Sequence, residues 1–255
     1  DHSYLIGSEN MEQMERNSQS SIRQRLWRIR AKHVILATGA IERPLVFAGN
    51  DIPGVMLCSA ALEFYKLYGV SPGDRVVVLT NNDSAYSSVI ELFNAGISVP
   101  LVIDVREKSD GNLPLKAKKL GIRVEFSKAI SKVIGKKKVK AVELCSVVGE
   151  GAVLETIICD SVLMSGGWTS TLNLWSHCGG KIKWDSKLNT LVPDESFPSI
   201  NEFGRSFITV LGSADGKFWP RDLFANIEKK LNILYSELNL KKTKTIRYNI
   251  DNLSL

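Results

Sequence analysis

Three strand ends made of small residues and one polar turn are the places in this sequence where chemistry could be built. They are Ala37-Thr38-Gly39 after Val34-Ile35-Leu36, Ser165-Gly166-Gly167 after Val162-Leu163-Met164, and Gly212-Ser213-Ala214 after Val210-Leu211. The turn is Thr80-Asn81-Asn82-Asp83-Ser84-Ala85, directly after Val76-Val77-Val78-Leu79. Small residues at a strand end let a ligand or another backbone approach closely. A strand, a glycine-rich turn and a helix start together present backbone N–H groups and the positive end of a helix dipole to a pyrophosphate. This is chemistry of binding and orientation, and no side chain is assigned a catalytic role.

In a nucleotide turn the first glycine permits the tight bend and the second lets the backbone touch the phosphate. Side chains at Thr80 and Asn82 therefore obstruct the usual pose. Asp104, roughly 20 residues beyond the turn, stands where a ribose-binding carboxylate belongs, and it reads equally well as a strand-end turn residue. His33 and His177 have no neighbouring nucleophile arrangement, since adjacency to Cys178 does not by itself make a shared site. Cys58, Cys145, Cys159 and Cys178 form neither a CxxC pair nor a metal-ligand spacing, so reduced, mostly buried thiols are expected. The absent CxxC also argues against disulfide reductase chemistry, which needs a redox-active dithiol.

The elements that must position these residues follow from periodicity. Asp1 to Leu5 reads as a strand, Gly7 to Ser21 as a loop, and Arg25 to Ala31 as a half-buried strand running into Val34 to Ala37. Pro44, Pro53 and Gly54 punctuate a crossing segment. A helix over Ser59 to Tyr68 closed by Gly69, the strand ending at Leu79, a helix over Tyr86 to Asn94 and the strand Val99 to Ile103 make a βαβ unit, hence a parallel sheet. Another helix ends at Lys116 to Leu120, and Gly121 to Phe126 alternates as a strand. Val133 to Leu144 with Thr156 to Cys159 forms a meander, which delivers the apolar strand before Ser165. After a loop-rich stretch around Lys183-Trp184-Asp185, Phe207 to Leu211 is the last strand and Asp222 to Leu238 the last helix.

The bulk properties agree with a globular protein. The 255 residues, 44% of them hydrophobic, suffice for one large or two small domains. No apolar run approaches the roughly 18 to 20 residues of a membrane span, and the first residues are not a signal core. No membrane association and a cytoplasmic location are expected. The net charge of +6 resides largely in Lys136-Lys137-Lys138-Val139-Lys140 and around Lys241-Lys242-Thr243-Lys244. No aromatic residues interleave with these lysines for base stacking, so no nucleic acid is expected as a partner.

Several runs carry resemblances. Thr80 to Ala85 resembles the Gly-Gly-Gly-Asp-Ser-Ala turn of the thioredoxin reductase group with every glycine replaced. The Ala37-Thr38-Gly39 end resembles the strand end that packs beside the first domain's dinucleotide in the glutathione reductase-like fold. Ser165-Gly166-Gly167 reads as its near-copy, where the chain returns to that domain. Val210 to Ala214 is similar to the Ala-x-Gly-Asp segment that closes such a domain, with Ser213 in the place of the aspartate on the flavin side of FAD. That loss weakens the case for FAD in this chain and leaves a ligand using only the adenosine diphosphate part of the site, such as NAD.

The whole run from Arg28 to Met56 closely resembles the alpha subunit of heterotetrameric sarcosine oxidase, as do Thr80 to Tyr86 and Met164-Ser165-Gly166-Gly167-Trp168-Thr169. The resemblance covers about residues 1 to 220. It implies an α/β fold with two interleaved Rossmann-like dinucleotide-binding domains, the first incomplete at its N-terminus. The expected division is 1–54 with 160–240 in the first domain, 55–159 as the inserted second domain, and 241–255 as a basic tail. Ala37, Thr38, Gly39, Ser165, Gly166, Gly167, Gly212 and Ser213 are the expected cofactor-binding residues.

The resemblance further implies a subunit of an enzyme that oxidises sarcosine to glycine, passing electrons through flavins to oxygen and the one-carbon unit to tetrahydrofolate. NAD would lie in the alpha subunit, the substrate and FAD in the beta subunit, and a covalent FMN at the alpha/beta interface, to which this chain would contribute, in a complex with beta, gamma and delta subunits. The chain is then expected to be a fragment, inactive alone, that lacks the leading Gly-x-Gly-x-x-Gly turn and a folate-binding half. Alternatives are a non-catalytic assembly module, an NAD(P)H-dependent flavin oxidoreductase, or a subunit of a related amine, opine or proline dehydrogenase.

Overall fold

The computed structural model describes residues 4–10 and 24–240. In chain order the elements are β1 (Tyr4–Asn10), β2 (Gln24–Arg30), β3 (Val34–Leu36), β4 (Ala40–Glu42), β5 (Val55–Leu57), α1 (Cys58–Tyr68), β6 (Arg75–Thr80), α2 (Ser84–Asn94), β7 (Ser98–Asp104) and α3 (Asn112–Lys119). They continue with β8 (Val124–Phe126), β9 (Lys128–Gly135), β10 (Val139–Ser146), β11 (Glu155–Ile158), β12 (Ser161–Ser165), β13 (Trp168–Ser170) and α4 (Asn173–His177). The last are β14 (Ile182–Asp185), β15 (Thr190–Pro193), β16 (Ile208–Val210), a 3₁₀ turn at Gly212–Asp215, and α5 (Pro220–Glu237). The expected loop from Gly7 and the basic tail fall largely outside the described residues; Gly7 to Asn10 belong to β1.

Two compact units share these elements. Unit 1 comprises the described residues of Asp1–Ala40 and Ser170–Ser254, and unit 2 is Ile41–Thr169.

Unit 2 is built on Val76-Val77-Val78-Leu79, an uninterrupted apolar run in which every residue is buried. Such a run cannot face water on either side, which is the condition of a central parallel strand. The sheet order is β5-β12-β6-β7-β8, with each neighbouring pair parallel. Successive side chains point to opposite faces. Val76 and Val78 of β6, Val102 of β7 and Leu163 of β12 therefore pack with Ala61 of α1, Val89 and Leu92 of α2 and Ala117 of α3. Val77, Leu79, Leu101, Ile103, Val162 and Met164 pack on the opposite side with Val133, Val142, Leu144 and Ile157 of the antiparallel meander β9-β10-β11. The α1 helix stops where the sequence indicates: Gly69 is left-handed at φ 64°, and its N–H and that of Val70 return to the carbonyls of Tyr65 and Phe64 at 3.0 and 3.3 Å.

Two segments lie elsewhere than the sequence reading puts them. Residues 41–54, expected in the first domain, are part of unit 2: Phe47 is buried on the meander side, and the Val133 N–H donates to the Ala48 carbonyl at 2.8 Å. Pro53-Gly54, where the sequence reading ends the first domain, lies inside unit 2, and Gly54 is so close to Asp160 that a Cβ would stand 3.0 Å from its carbonyl oxygen. Residues 160–169 likewise stay in unit 2, since β12 is a strand of its sheet, inserted between β5 and β6. Apolar burial on both faces of β12 is the physical reason.

In unit 1, β3 and β16 pair in parallel, with Val34, Ile35 and Leu36 opposite Ile208, Thr209 and Val210. Their core gathers Leu36, Leu172, Trp175, Phe207, Ile208, Val210 and Ala214. The Trp175 indole N–H donates to the Lys181 carbonyl at 2.8 Å. The β14–β15 hairpin falls in the stretch expected to be loop-rich. The α5 helix begins with Pro220 in its first turn, where a missing N–H costs nothing.

Leu163, on the interior strand β12, touches the helices with no exposed surface. Leu163→Ala is expected to destabilise the chain by about 2–5 kcal/mol, measured by denaturant unfolding, because the rigid layers around it cannot collapse into the cavity.

Candidate functional site

The register of β3 against β16 brings the ends of the two strands together in unit 1. Leu211 donates its N–H to the Leu36 carbonyl at 2.9 Å, so Ala37-Thr38-Gly39 and Gly212-Ser213 leave neighbouring strands at the same carboxyl edge. Ala37 and Thr38 are exposed, Gly39 is left-handed at φ 73°, and a Cβ on Gly39 would meet nothing within 4 Å. Thr38 is fixed by its hydroxyl, which donates to the Thr171 carbonyl at 2.6 Å, and Thr171 returns its N–H to Gly39 at 3.0 Å. Ser213 is half-buried, and its carbonyl accepts from the Ser170 hydroxyl at 3.1 Å. These five candidate residues thus form one open, small-residue edge at the carboxyl ends of parallel strands, the kind of edge where α/β sheets bind ligands.

Asp215, two residues past Ser213, is turned away to Lys230. The Lys230 ammonium lies 2.8 Å from both Asp215 and Glu195, and donates to the Val210 carbonyl at 3.2 Å. Burial raises the Asp215 carboxyl above its ordinary range even beside this cation, while Lys230 holds Glu195 below its own. His33 sits 2.8 Å from the Thr209 hydroxyl in a cavity of about 230 Å³ between β16 and α5, away from the strand ends, and burial lowers its pKa.

Ser165, Gly166 and Gly167 are brought to a different place, the carboxyl edge of the sheet in unit 2. The room their small size makes is filled by the chain itself. Gly166 donates its N–H to Arg43 at 2.7 Å, Arg43 donates its N–H to Gly167 at 2.8 Å, and the Arg43 Nε reaches the Gly166 carbonyl at 3.0 Å. A Cβ on Gly166 would lie 2.9 Å from the Pro44 carbonyl oxygen and 3.0 Å from that of Arg43.

At the same edge, Thr80 is in register with Ser165 on one side and Asp104 on the other. The Thr80 hydroxyl closes the turn by bonding the Asn82 N–H and carbonyl at 3.1 and 3.0 Å. The Asn82 side-chain amide donates to the carbonyl and hydroxyl of Ser165 at 3.1 and 3.0 Å. Its oxygen accepts from the N–H and hydroxyl of Ser84, at 3.1 and 2.5 Å, at the start of α2. The Trp168 indole donates to the same Ser84 hydroxyl at 2.8 Å.

Asp104 is completely buried and fully engaged. Arg106 donates to it from its backbone N–H, Nε and Nη2, at 3.1, 3.0 and 2.7 Å, and the Tyr86 hydroxyl adds a fourth bond at 2.8 Å. The Arg106 Nη2 also reaches Asp83 at 2.7 Å, where Ser109 donates at 2.9 Å. Burial and the neighbouring Asp104 push the Tyr86 phenol far above its ordinary value; the hydrogen bonds to Asp104 and Asp83 raise the Arg106 guanidinium against the opposing effect of burial. Sequence reasoning named Asp104 but missed Arg106 and Tyr86, which hold it. The available signal was an arginine two residues after a buried carboxylate.

Cys58, Cys145, Cys159 and Cys178 are free thiols. Burial raises Cys58 well above its usual value and Cys159 to about 12, which leaves both protonated and unreactive at neutral pH. Among the described residues no group of histidines, cysteines and carboxylates could hold a metal ion, and no helix is long and apolar enough to cross a membrane.

Comparison with known proteins decides the relationship. The sarcosine oxidase alpha subunit of Rhizobium meliloti (strain 1021) is 36% identical over 186 residues, 73% of this chain and 18% of that protein. The corresponding protein of Corynebacterium sp. (strain P-1) is 38% identical over 179 residues, 68% of this chain and 18% of that one. The chain is homologous to sarcosine oxidase alpha subunits. It spans about a fifth of the length of these alpha subunits. An opine oxidase subunit of Agrobacterium tumefaciens (strain Ach5) is more distant, 25% identical over 177 residues, 63% of this chain and 35% of that protein. No protein-family profile matches the chain.

Among solved structures, the thioredoxin reductase of T. acidophilum superposes with a TM-score of 0.64 at 21% identity, covering 83% of this chain and 67% of that one. The thioredoxin reductase of Lactococcus lactis gives 0.61 at 16%, covering 85% and 71%. This establishes the fold: a sarcosine oxidase alpha-subunit homologue with the two Rossmann-like domains of the thioredoxin reductases.

Gly166 has a structural role at the unit 2 edge. Gly166→Ala is expected to destabilise the chain by roughly 1–3 kcal/mol in thermal or denaturant unfolding, because the atoms its Cβ would meet are backbone carbonyls that cannot rotate away.

Proposed function

We propose that this chain is part of the alpha subunit of a sarcosine oxidase-type flavoenzyme, and that its unit 1 holds the adenosine diphosphate portion of NAD at the carboxyl ends of β3 and β16. The observation that carries the reading is the open edge formed by Ala37, Thr38, Gly39, Gly212 and Ser213, set on a chain that is 34–38% identical to sarcosine oxidase alpha subunits. The open space over Gly39 and the exposed Ala37 and Thr38 fit a ligand whose backbone must approach closely. Ser213 brings a hydroxyl in place of a carboxylate, and Asp215 is engaged by Lys230, which favours the adenosine diphosphate moiety over the flavin end of FAD.

In this reading the flavins carry the electrons from the amine to oxygen, and tetrahydrofolate takes the one-carbon unit. FAD, FMN, the substrate pocket and the folate site belong to the assembled complex with beta, gamma and delta subunits. The residues of this chain bind and orient the dinucleotide. A second reading, a module kept for assembly alone, draws on the self-satisfied hydrogen bonds of the unit 2 edge.

The test is expression of the full-length alpha subunit with its partner subunits. The expected outcome is a complex that yields NAD in its acid extract and releases peroxide when given sarcosine. A flavin-free complex without sarcosine-dependent peroxide would overturn the assignment, and a complex active on sarcosine but devoid of NAD would overturn the nucleotide site alone.

A further inference from the structure

Open parallel sheets bind their ligands in the crevice outside the carboxyl ends of the strands, at the point where strand order reverses. In unit 2 that point lies between β6 and β12: from β6 the chain steps outward through β7 to β8, while β12 returns on the other side, next to β5. The thioredoxin reductase-like fold implies a dinucleotide there, with pyrophosphate at the start of α2 and ribose at the end of β7.

The residues present do not fit that group. The crevice between β6 and β12 is crossed by the Asn82 side chain, which leaves the turn after β6 and donates to both the carbonyl and the hydroxyl of Ser165 at the end of β12. The Ser84 N–H, which opens α2 and would serve a phosphate oxygen, is already bound to the Asn82 side-chain oxygen. On the other side of β6, Arg106 spans from Asp104 at the end of β7 to Asp83 before α2. Asp104 accepts four hydrogen bonds from protein donors, as many as the lone-pair sites of a carboxylate, so none remains for a ribose hydroxyl. Displacing Arg106 would strand a carboxylate with no exposed surface in the protein interior, which is strongly unfavourable.

We infer that the carboxyl edge of unit 2 takes no dinucleotide: Asn82 and Arg106 occupy the positions of its phosphates and ribose and close the edge from within. The fold of a nucleotide-binding domain is kept while the groups that a ligand would satisfy are satisfied by the chain's own side chains. The inference concerns unit 2 alone and stands or falls independently of the nucleotide proposed for unit 1.

The experiment is a titration of the isotopically labelled full chain with NADH and, separately, NADPH, each to millimolar concentration, followed by heteronuclear NMR. The Trp168 indole N–H, bonded to Ser84, and the Arg106 Nε–H, bonded to Asp104, report on the unit 2 edge. The amides of Gly39 and Gly212 report on unit 1. The expected result is that the Trp168 and Arg106 signals stay in place with both nucleotides, whatever the two glycine amides do. A saturable shift of the Trp168 and Arg106 signals with either nucleotide overturns the inference, and unmoved Gly39 and Gly212 amides count against only the unit 1 site in this chain.

Discussion

A carboxylate without any exposed surface governs the edge of unit 2. Asp104 ends β7 inside the protein, and an ionised group there must be matched by donors or by an opposite charge. Arg106 supplies both, with a planar fork that fits a carboxylate better than a lysine point charge would. Because the same guanidinium also binds Asp83, the end of β7 is tied to the turn that precedes α2. Asn82 ties that turn to β12, so three neighbouring strand ends are linked by side chains. The stacking of helices, sheet and meander sets these strand ends in register; the polar network then fixes the shape of the edge.

Much of this was legible in the sequence because double burial leaves a plain mark. Val76 to Leu79 reads as a buried parallel strand because four consecutive aliphatic residues stand between the turn at Gly73 and the polar turn at Thr80, and Gly69 marks the end of α1 through the conformation it alone adopts cheaply. The βαβ order followed from these. The β14–β15 hairpin was not legible: Ile182-Lys183-Trp184-Asp185 alternates over only four residues, and its apolar members Ile182 and Trp184 are both exposed, so no buried face marks the strand.

The small residues at Ser165-Gly166-Gly167 show a deeper limit. A strand end of this kind has two physical uses, approach of a ligand and approach of the chain's own backbone, and the residue types are the same for both. At Gly39 the space is open, whereas at Gly166 it holds the carbonyls of Arg43 and Pro44. Only the fold distinguishes them. Similarly, the loss of glycines from the Thr80 turn indicated an obstructed pose, but the identity of the obstruction, with Asn82 bridging to Ser165 and Arg106 clamping Asp104, depends on strands far apart in sequence.

The account rests on the Asp104–Arg106 contact as the lock of the unit 2 edge, and a double-mutant cycle measures it directly. Asp104→Asn, Arg106→Gln and the double substitution, each compared with the unaltered chain by denaturant unfolding, give the coupling energy of the pair. A coupling of about 1–3 kcal/mol, within the range of buried, hydrogen-bonded neighbours, is the predicted result. Additive effects, with a coupling below about 0.5 kcal/mol, would contradict the account by showing that the edge is held without that contact.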